Sequence, residues 1–337
     1  MDKPMTESPK SEFNMKELIE KLIRSGGEGI DSYFTEVKTH LSVTGTKALA
    51  HCYFLNLDGN GRPRTGDLAN FIAMNILDYS IPRSEINEAR AKNIKHNTEK
   101  YTQELAQKAR ALFTTVETTG EGGEMLLYVL VQEILKLPQL ICKMPLKTNS
   151  ESHYQGVDGV HVSVDINSVG EEILSLYWGE SKLHSSFSKA VSECVKSVKK
   201  LLLSEDGSGS DANRDLQLIQ DNLDAVDEKL ENAIVRYLDK KNPLFNKVNF
   251  KSVCLIGFDY DKYPTIPNSG MTISALKKEV EDKMSSWTKS VAKQIGNHTN
   301  LNTFDIHVFL IPFPDVSKFR EAFLAELGLK KDHEPSK

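Results

Sequence analysis

Residues 174–191 read LSLYWGESKLHSSFSKAV, and the fold turns on how this stretch is read. Leu174, Leu176 and Trp178 alternate on one face of a strand, and Glu180 and Lys182 continue that face by the same period of two. A carboxylate and an ammonium at the end of an apolar strand cost several kcal/mol unless they are paired or bound to something. The strand then gives way to SSFSKAVSECVKSVKKLLL (185–203), an amphipathic helix for which Ser185 or Ser186 is a suitable cap.

Upstream, GVDGVHVSVDI (156–166) predicts a second strand, with Asp158 between Gly156 and Gly159. Glycines there let the backbone bend and let another group come close. The turn falls near Asn167–Gly170. Counting out from residue 169 as its centre, Asp158 and Glu180 are equidistant, so a hairpin brings them to the same end. Further upstream, TTGEGGEMLLYVLVQEILKL (118–137) is a Gly-rich turn followed by an almost wholly apolar helix, stopped near Pro138. A helix apolar on nearly all sides is buried on nearly all sides. Its Glu124 sits in the first turn, where the helix dipole alone favours an acid.

Two carboxylates meeting at a sheet edge repel unless a cation lies between them. Asp158, Glu180 and the backbone carbonyl of Ser181 are hard oxygen ligands suited to Mg²⁺, with Mn²⁺ an alternative. Lys182 is placed to hold a metal-activated water or the charge developing on a phosphoryl group, and Glu124 to support the site.

The order helix, strand, strand, helix, with Asp158 followed after 21 residues by Glu180-Ser181-Lys182, resembles the core of the PD-(D/E)xK nuclease superfamily. Val157 stands where that pattern has proline. More narrowly, GVDGVHV and YWGESKLHSSFSKAV resemble the HamA-like nuclease subunit of the Hachiman anti-phage defence system, over about residues 118–203. The resemblance implies a restriction-endonuclease-like α/β core, with a mixed sheet flanked by helices. It also implies DNA as substrate, a HamB-like superfamily 2 helicase as partner, and a bacterial cytoplasmic setting.

The spacing ExK is not itself informative. It recurs as Glu36-Val37-Lys38 and as Glu281-Asp282-Lys283, the second in a charged helical run that a solvated face explains. Asp165 is the rival to Asp158 but sits where a turn residue is expected. His153, His161 and His184 surround the motif and read more readily as surface or packing residues. Lys189, Lys196 and Lys199, with Lys200, make the helix after the motif basic, as a DNA-tracking face or a solvated one. The loop DGNGRPRTGD (58–67) lacks the spacing of a calcium loop and of a phosphate-binding P-loop, and reads as a turn.

The rest of the chain supplies limits. Its 337 residues carry 42 Lys and Arg against 47 Asp and Glu, a net charge of −5. That counts against strong DNA binding by the chain alone. The polar N-terminus has no apolar leader and no run is long enough for a membrane helix. Cys52, Cys142, Cys194 and Cys254 form no CxxC pair, which disfavours a zinc or disulfide framework. Residues 1–12 and 331–337 read as tails. Residues 13–117 read as an α+β cap where a partner could bind, and 118–330 as the nuclease-like domain with a Gly/Ser-rich linker at 204–213.

Overall fold

The computed structural model describes residues 14–24, 29–113, 120–148, 157–203, 210–225 and 227–329. The expected tails, most of the linker at 204–213, His153 and Gly156 lie outside the described residues. Among the described residues the six strands are β1 (Phe34–Ser42), β2 (Leu49–Leu55), β3 (Gly159–Ile166), β4 (Glu172–His184), β5 (Val248–Asp259) and β6 (Ile306–Phe313). They form one mixed sheet in the order β1-β2-β6-β5-β4-β3. The pairs β2–β6, β6–β5 and β5–β4 are parallel, and the two outer pairs, β1–β2 and β4–β3, are antiparallel. Parallel strands need helical crossovers that cover both faces, and this is why β4, β5 and β6 are buried along most of their length.

One face of the sheet carries Gly179, Ser181 and Leu183 of β4 against the Glu121–Leu130 helix. That helix packs in turn on Phe319 and Phe323 of the Val316–Glu326 helix. On the opposite face the Phe187–Leu202 and Ile273–Gly296 helices enclose Cys254, Ile256 and Val308. A second cluster at the β3 edge gathers Val160, Val162, Val164, Leu174, Leu176 and Trp178 under Met15, Ile19, Ile219 and Ile234. All four cysteines are buried and unpaired.

The sequence pattern locates the elements well. The charged run over about 83–114 and the acidic run over 214–240, each with helical spacing in the sequence, are both divided. The helical run from residue 83 ends at Asn97, whose φ of 47° is left-handed, and resumes as Lys100–Ala111. The acidic run after the linker is two helices, Ser210–Asp221 and Glu228–Leu238. The strands β1 and β2, read from the sequence as part of a cap, extend the same sheet by pairing β2 with β6. The 58–67 loop is a tight turn closed by Asp58, whose Oδ1 accepts the N–H groups of Asn60 and Arg62. Among the described residues no helix is long and apolar enough to cross a membrane.

Candidate active site

The hairpin has the register that the count around residue 169 predicts: Gly159 pairs with Gly179. A Cβ at Gly179 would lie 3.1 Å from Leu127 Cδ2 and 3.2 Å from the Gly159 backbone. The missing side chain therefore lets the Glu121–Leu130 helix settle close to the sheet. One step further, regular β3 has ended. The Asp158 N–H still donates to the Gly179 carbonyl at 2.8 Å, and the Asp158 carboxylate folds back over the edge of β4. Its Oδ2 accepts from the Ser181 N–H at 2.7 Å and from the Ser181 hydroxyl at 2.9 Å. In an antiparallel pair the N–H and C=O of one residue point to the same side, so the Ser181 carbonyl also faces this open edge.

Asp158 thus stands between two layers. On the helix side is Glu124, which is buried and accepts from the Tyr79 hydroxyl at 3.1 Å. On the strand side is Glu180, 6% exposed, with the Lys182 ammonium hydrogen-bonded to its Oε1. A fifth charged group completes the cluster. Lys143, 1% exposed, lies 3.9 Å from Glu124 Oε2 and 3.9 Å from Asp158 Oδ1.

The electrostatics follow from this crowding. Burial raises the Asp158 pKa most, the Glu124 and Glu180 carboxylates add to it, and Lys143 and Lys182 oppose it; the result is about 7. Burial works against the charge of Lys182 more than any other influence. The Glu180 carboxylate, its hydrogen bond and Asp158 together outweigh it, so the Lys182 pKa is raised. Desolvation pushes the Tyr79 hydroxyl well up, helped by Glu124 and Asp158, so it remains a donor.

The structure therefore gathers Glu124, Asp158, Glu180, Ser181 and Lys182 at one place. Lys189, Lys196 and Lys199 line the exposed side of the next helix, which Ser186 caps through the Lys189 N–H. Asp165 is not in the turn: it is the penultimate residue of β3, where its Oδ2 takes the Ser175 hydroxyl at 2.6 Å and the Lys251 ammonium at 2.8 Å. That pairing arises because β5, a strand far away in sequence, runs beside β4. His161 is a buried, neutral core residue, its pKa lowered by burial to about 4. His184 pairs with Glu193 at 2.6 Å. Glu36 and Lys38 are separated by a register shift in β1, and Glu281-Asp282-Lys283 lies in the Ile273–Gly296 helix.

Sequence reasoning misses Tyr79 and Lys143. Tyr79 gives no sign beyond its place in an apolar stripe. Lys143 does: it interrupts the apolar run LICKM (140–144), and a charge within such a run implies a buried partner.

Fold and cluster define an α/β protein with a carboxylate–lysine centre where β4 runs past the end of the border strand β3. The family model described as HamA matches residues 31–327, and the chain belongs to that family. The match reaches well beyond the 118–203 stretch that carries the resemblance in the sequence. Membership suggests a component of the Hachiman antiviral defence. No curated protein matches the chain.

Proposed function

We propose that the chain is a metal-dependent DNA nuclease with a PD-(D/E)xK-type centre, the effector of a two-component Hachiman system whose other member is a HamB-like helicase. The observation that carries this reading is the position of Asp158. Its carboxylate lies at the end of β4 beside the Ser181 backbone, with Glu180 and Lys182 on the same strand and Glu124 across from it.

The donors suit Mg²⁺ or Mn²⁺ by chemistry: all are hard oxygens. Among the described residues no three His, Cys, Asp or Glu side chains are arranged to hold a metal ion. Mg²⁺ needs only one or two carboxylates, with carbonyls and waters completing its shell. Asp158, Glu180 and the Ser181 carbonyl are sufficient in kind. When bound, the ion supplies an activated water and neutralises phosphodiester charge. Glu180 orients the Lys182 ammonium, which is 27% exposed at its side chain and is the cation of the cluster that an incoming phosphate meets. Ser181 fixes the Asp158 carboxylate through two donors. Lys189, Lys196 and Lys199 are suited to track the DNA backbone, and the chain's net negative charge keeps that affinity low until a helicase delivers substrate.

The test is cleavage of double- and single-stranded DNA with Mg²⁺ or Mn²⁺, with and without the helicase. Wild type is compared with Asp158→Asn and with Glu180→Ala/Lys182→Ala at matched melting temperature. Metal-dependent cutting lost in both variants supports the reading. Equal plasmid degradation by the chain alone and by the complex would sink the helicase-gated part of it.

A second reading, a non-catalytic interaction subunit, is favoured by the internal matching of charge, Glu180 with Lys182 and both Glu124 and Asp158 with Lys143. No cleavage even with the partner, together with early melting of the variants, selects it.

A further inference from the structure

Lys143 is placed as a metal ion would be. Its ammonium is buried, lies 3.9 Å from carboxylate oxygens of both Glu124 and Asp158, and donates to the Val157 carbonyl. A buried ammonium keeps its charge only beside such acids, and the acids converge only beside a cation. Each explains the other, and neither is explained by packing.

Mg²⁺ coordinates carboxylate oxygens at about 2.0–2.1 Å. An ion bound to those same oxygens of Asp158 and Glu124 would therefore lie within about 6 Å of the Lys143 ammonium, a range at which like charges oppose one another. Lys182 does not enter this part of the cluster: its ammonium is hydrogen-bonded to Glu180.

We propose that Lys143 is an internal counter-ion that occupies the acid cluster in the metal-free protein and must leave it when Glu124 and Asp158 share a divalent cation. The inference rests on the metal reading of the site and adds its regulation: cation binding is opposed by a group of the chain itself. Lys143 can move without disturbing the sheet. It precedes the short Met144–Thr148 helix rather than belonging to a strand, and its carbonyl anchors that helix by accepting the Leu146 N–H at 3.0 Å.

The experiment is a calorimetric Mn²⁺ titration of the full chain and of Lys143→Met and Lys143→Arg, with hydrogen exchange of the wild type with and without Mn²⁺. Lys143→Met is expected to bind Mn²⁺ at least about tenfold more tightly than wild type, since an opposing unit charge is gone. Lys143→Arg, which keeps the charge, should bind no more tightly than wild type. In the wild type, Mn²⁺ should speed exchange at Leu146, a readout that needs no variant to fold. Wild-type binding with no gain in Lys143→Met, or with Leu146 exchange unchanged, overturns the competition and leaves the metal reading standing. Binding by neither protein overturns both.

Discussion

The Asp158 carboxylate accepts the Ser181 N–H at 2.7 Å, in the place a β3 carbonyl would occupy if the ladder ran one step further. A ladder position has been given to a titratable group. In the fold Asp158 holds its proton up to about pH 7, against an ordinary value of 3.8. Between those values the folded chain binds more protons than the unfolded one. The contribution of Asp158 to stability is therefore full below about pH 4, falls as pH rises, and is lost above about 7. Urea unfolding at pH 5 and pH 8 should show a smaller loss of stability in Asp158→Asn than in wild type. An equal pH slope in the two proteins contradicts this.

Glu180 and Lys182 are bonded to each other but are not equally buried: their side chains are 8% and 27% exposed. Lys182→Ala strands a buried carboxylate and should cost about 1–3 kcal/mol. Glu180→Ala leaves a lysine that can reach water, and should cost less. The double variant should be more stable than Lys182→Ala alone. Denaturant midpoints at constant slope measure all three.

These asymmetries show what a sequence can and cannot convey. Asp158, Glu180 and their shared edge are legible because a hairpin register is local: one turn centre and a period of two place both residues. Lys143 and Tyr79 reach the cluster from segments whose approach depends on how whole helices pack, and no local period encodes that. The expectation of a turn role for Asp165 fails for the same reason. Its partner Lys251 is on a strand 86 positions away, and only the parallel pairing of β4 with β5 brings it near. The helix break at Asn97 escapes because the charge pattern continues through it.

Leu183 is held between two glycines. A Cβ at Gly123 would lie 2.7 Å from its Cδ1, and one at Gly257 2.9 Å from its Cγ. Yielding to either side drives it into the other. Gly123→Ala should therefore cost about 1–3 kcal/mol by overpacking. It should also impair cleavage through the displaced Glu124. A melting temperature within error of wild type would show that the helix simply slides.

Asp224 ties distant parts of the chain together. Its Oδ2 takes Arg83 at 2.6 Å and Arg24 at 3.1 Å, all three side chains being nearly buried. Its Oδ1 takes the Arg83 N–H at 2.5 Å. Asp224→Ala leaves two guanidinium groups without their shared anion and should destabilise by about 3–5 kcal/mol. Urea unfolding followed by Trp178 and Trp287 fluorescence measures the loss.

If the exposed lysines of the Phe187–Leu202 helix meet phosphates, their removal should change the salt dependence of binding and leave the fold alone. Lys189→Ala/Lys196→Ala/Lys199→Ala should flatten the plot of log affinity against log salt by about 0.9 for each phosphate that is no longer neutralised. A slope equal to that of wild type assigns those lysines to solvent.

The burial of all four cysteines has a consequence for handling and for kinetics. Desolvation raises the Cys52 thiol to about 12 and pushes Cys142 up as well, while Cys194 is raised by its hydrogen bond with Cys254 and by burial. Only an accessible thiolate attacks an alkylating reagent, and all four thiols are buried, so the native chain should be inert to one. Cys52 lies on β2, Cys254 on β5 and Cys194 on the helix after β4. Pulse alkylation during unfolding would date the opening of the sheet at β2, of the sheet at β5 and of the helix after β4 separately, and so the chain carries its own clocks.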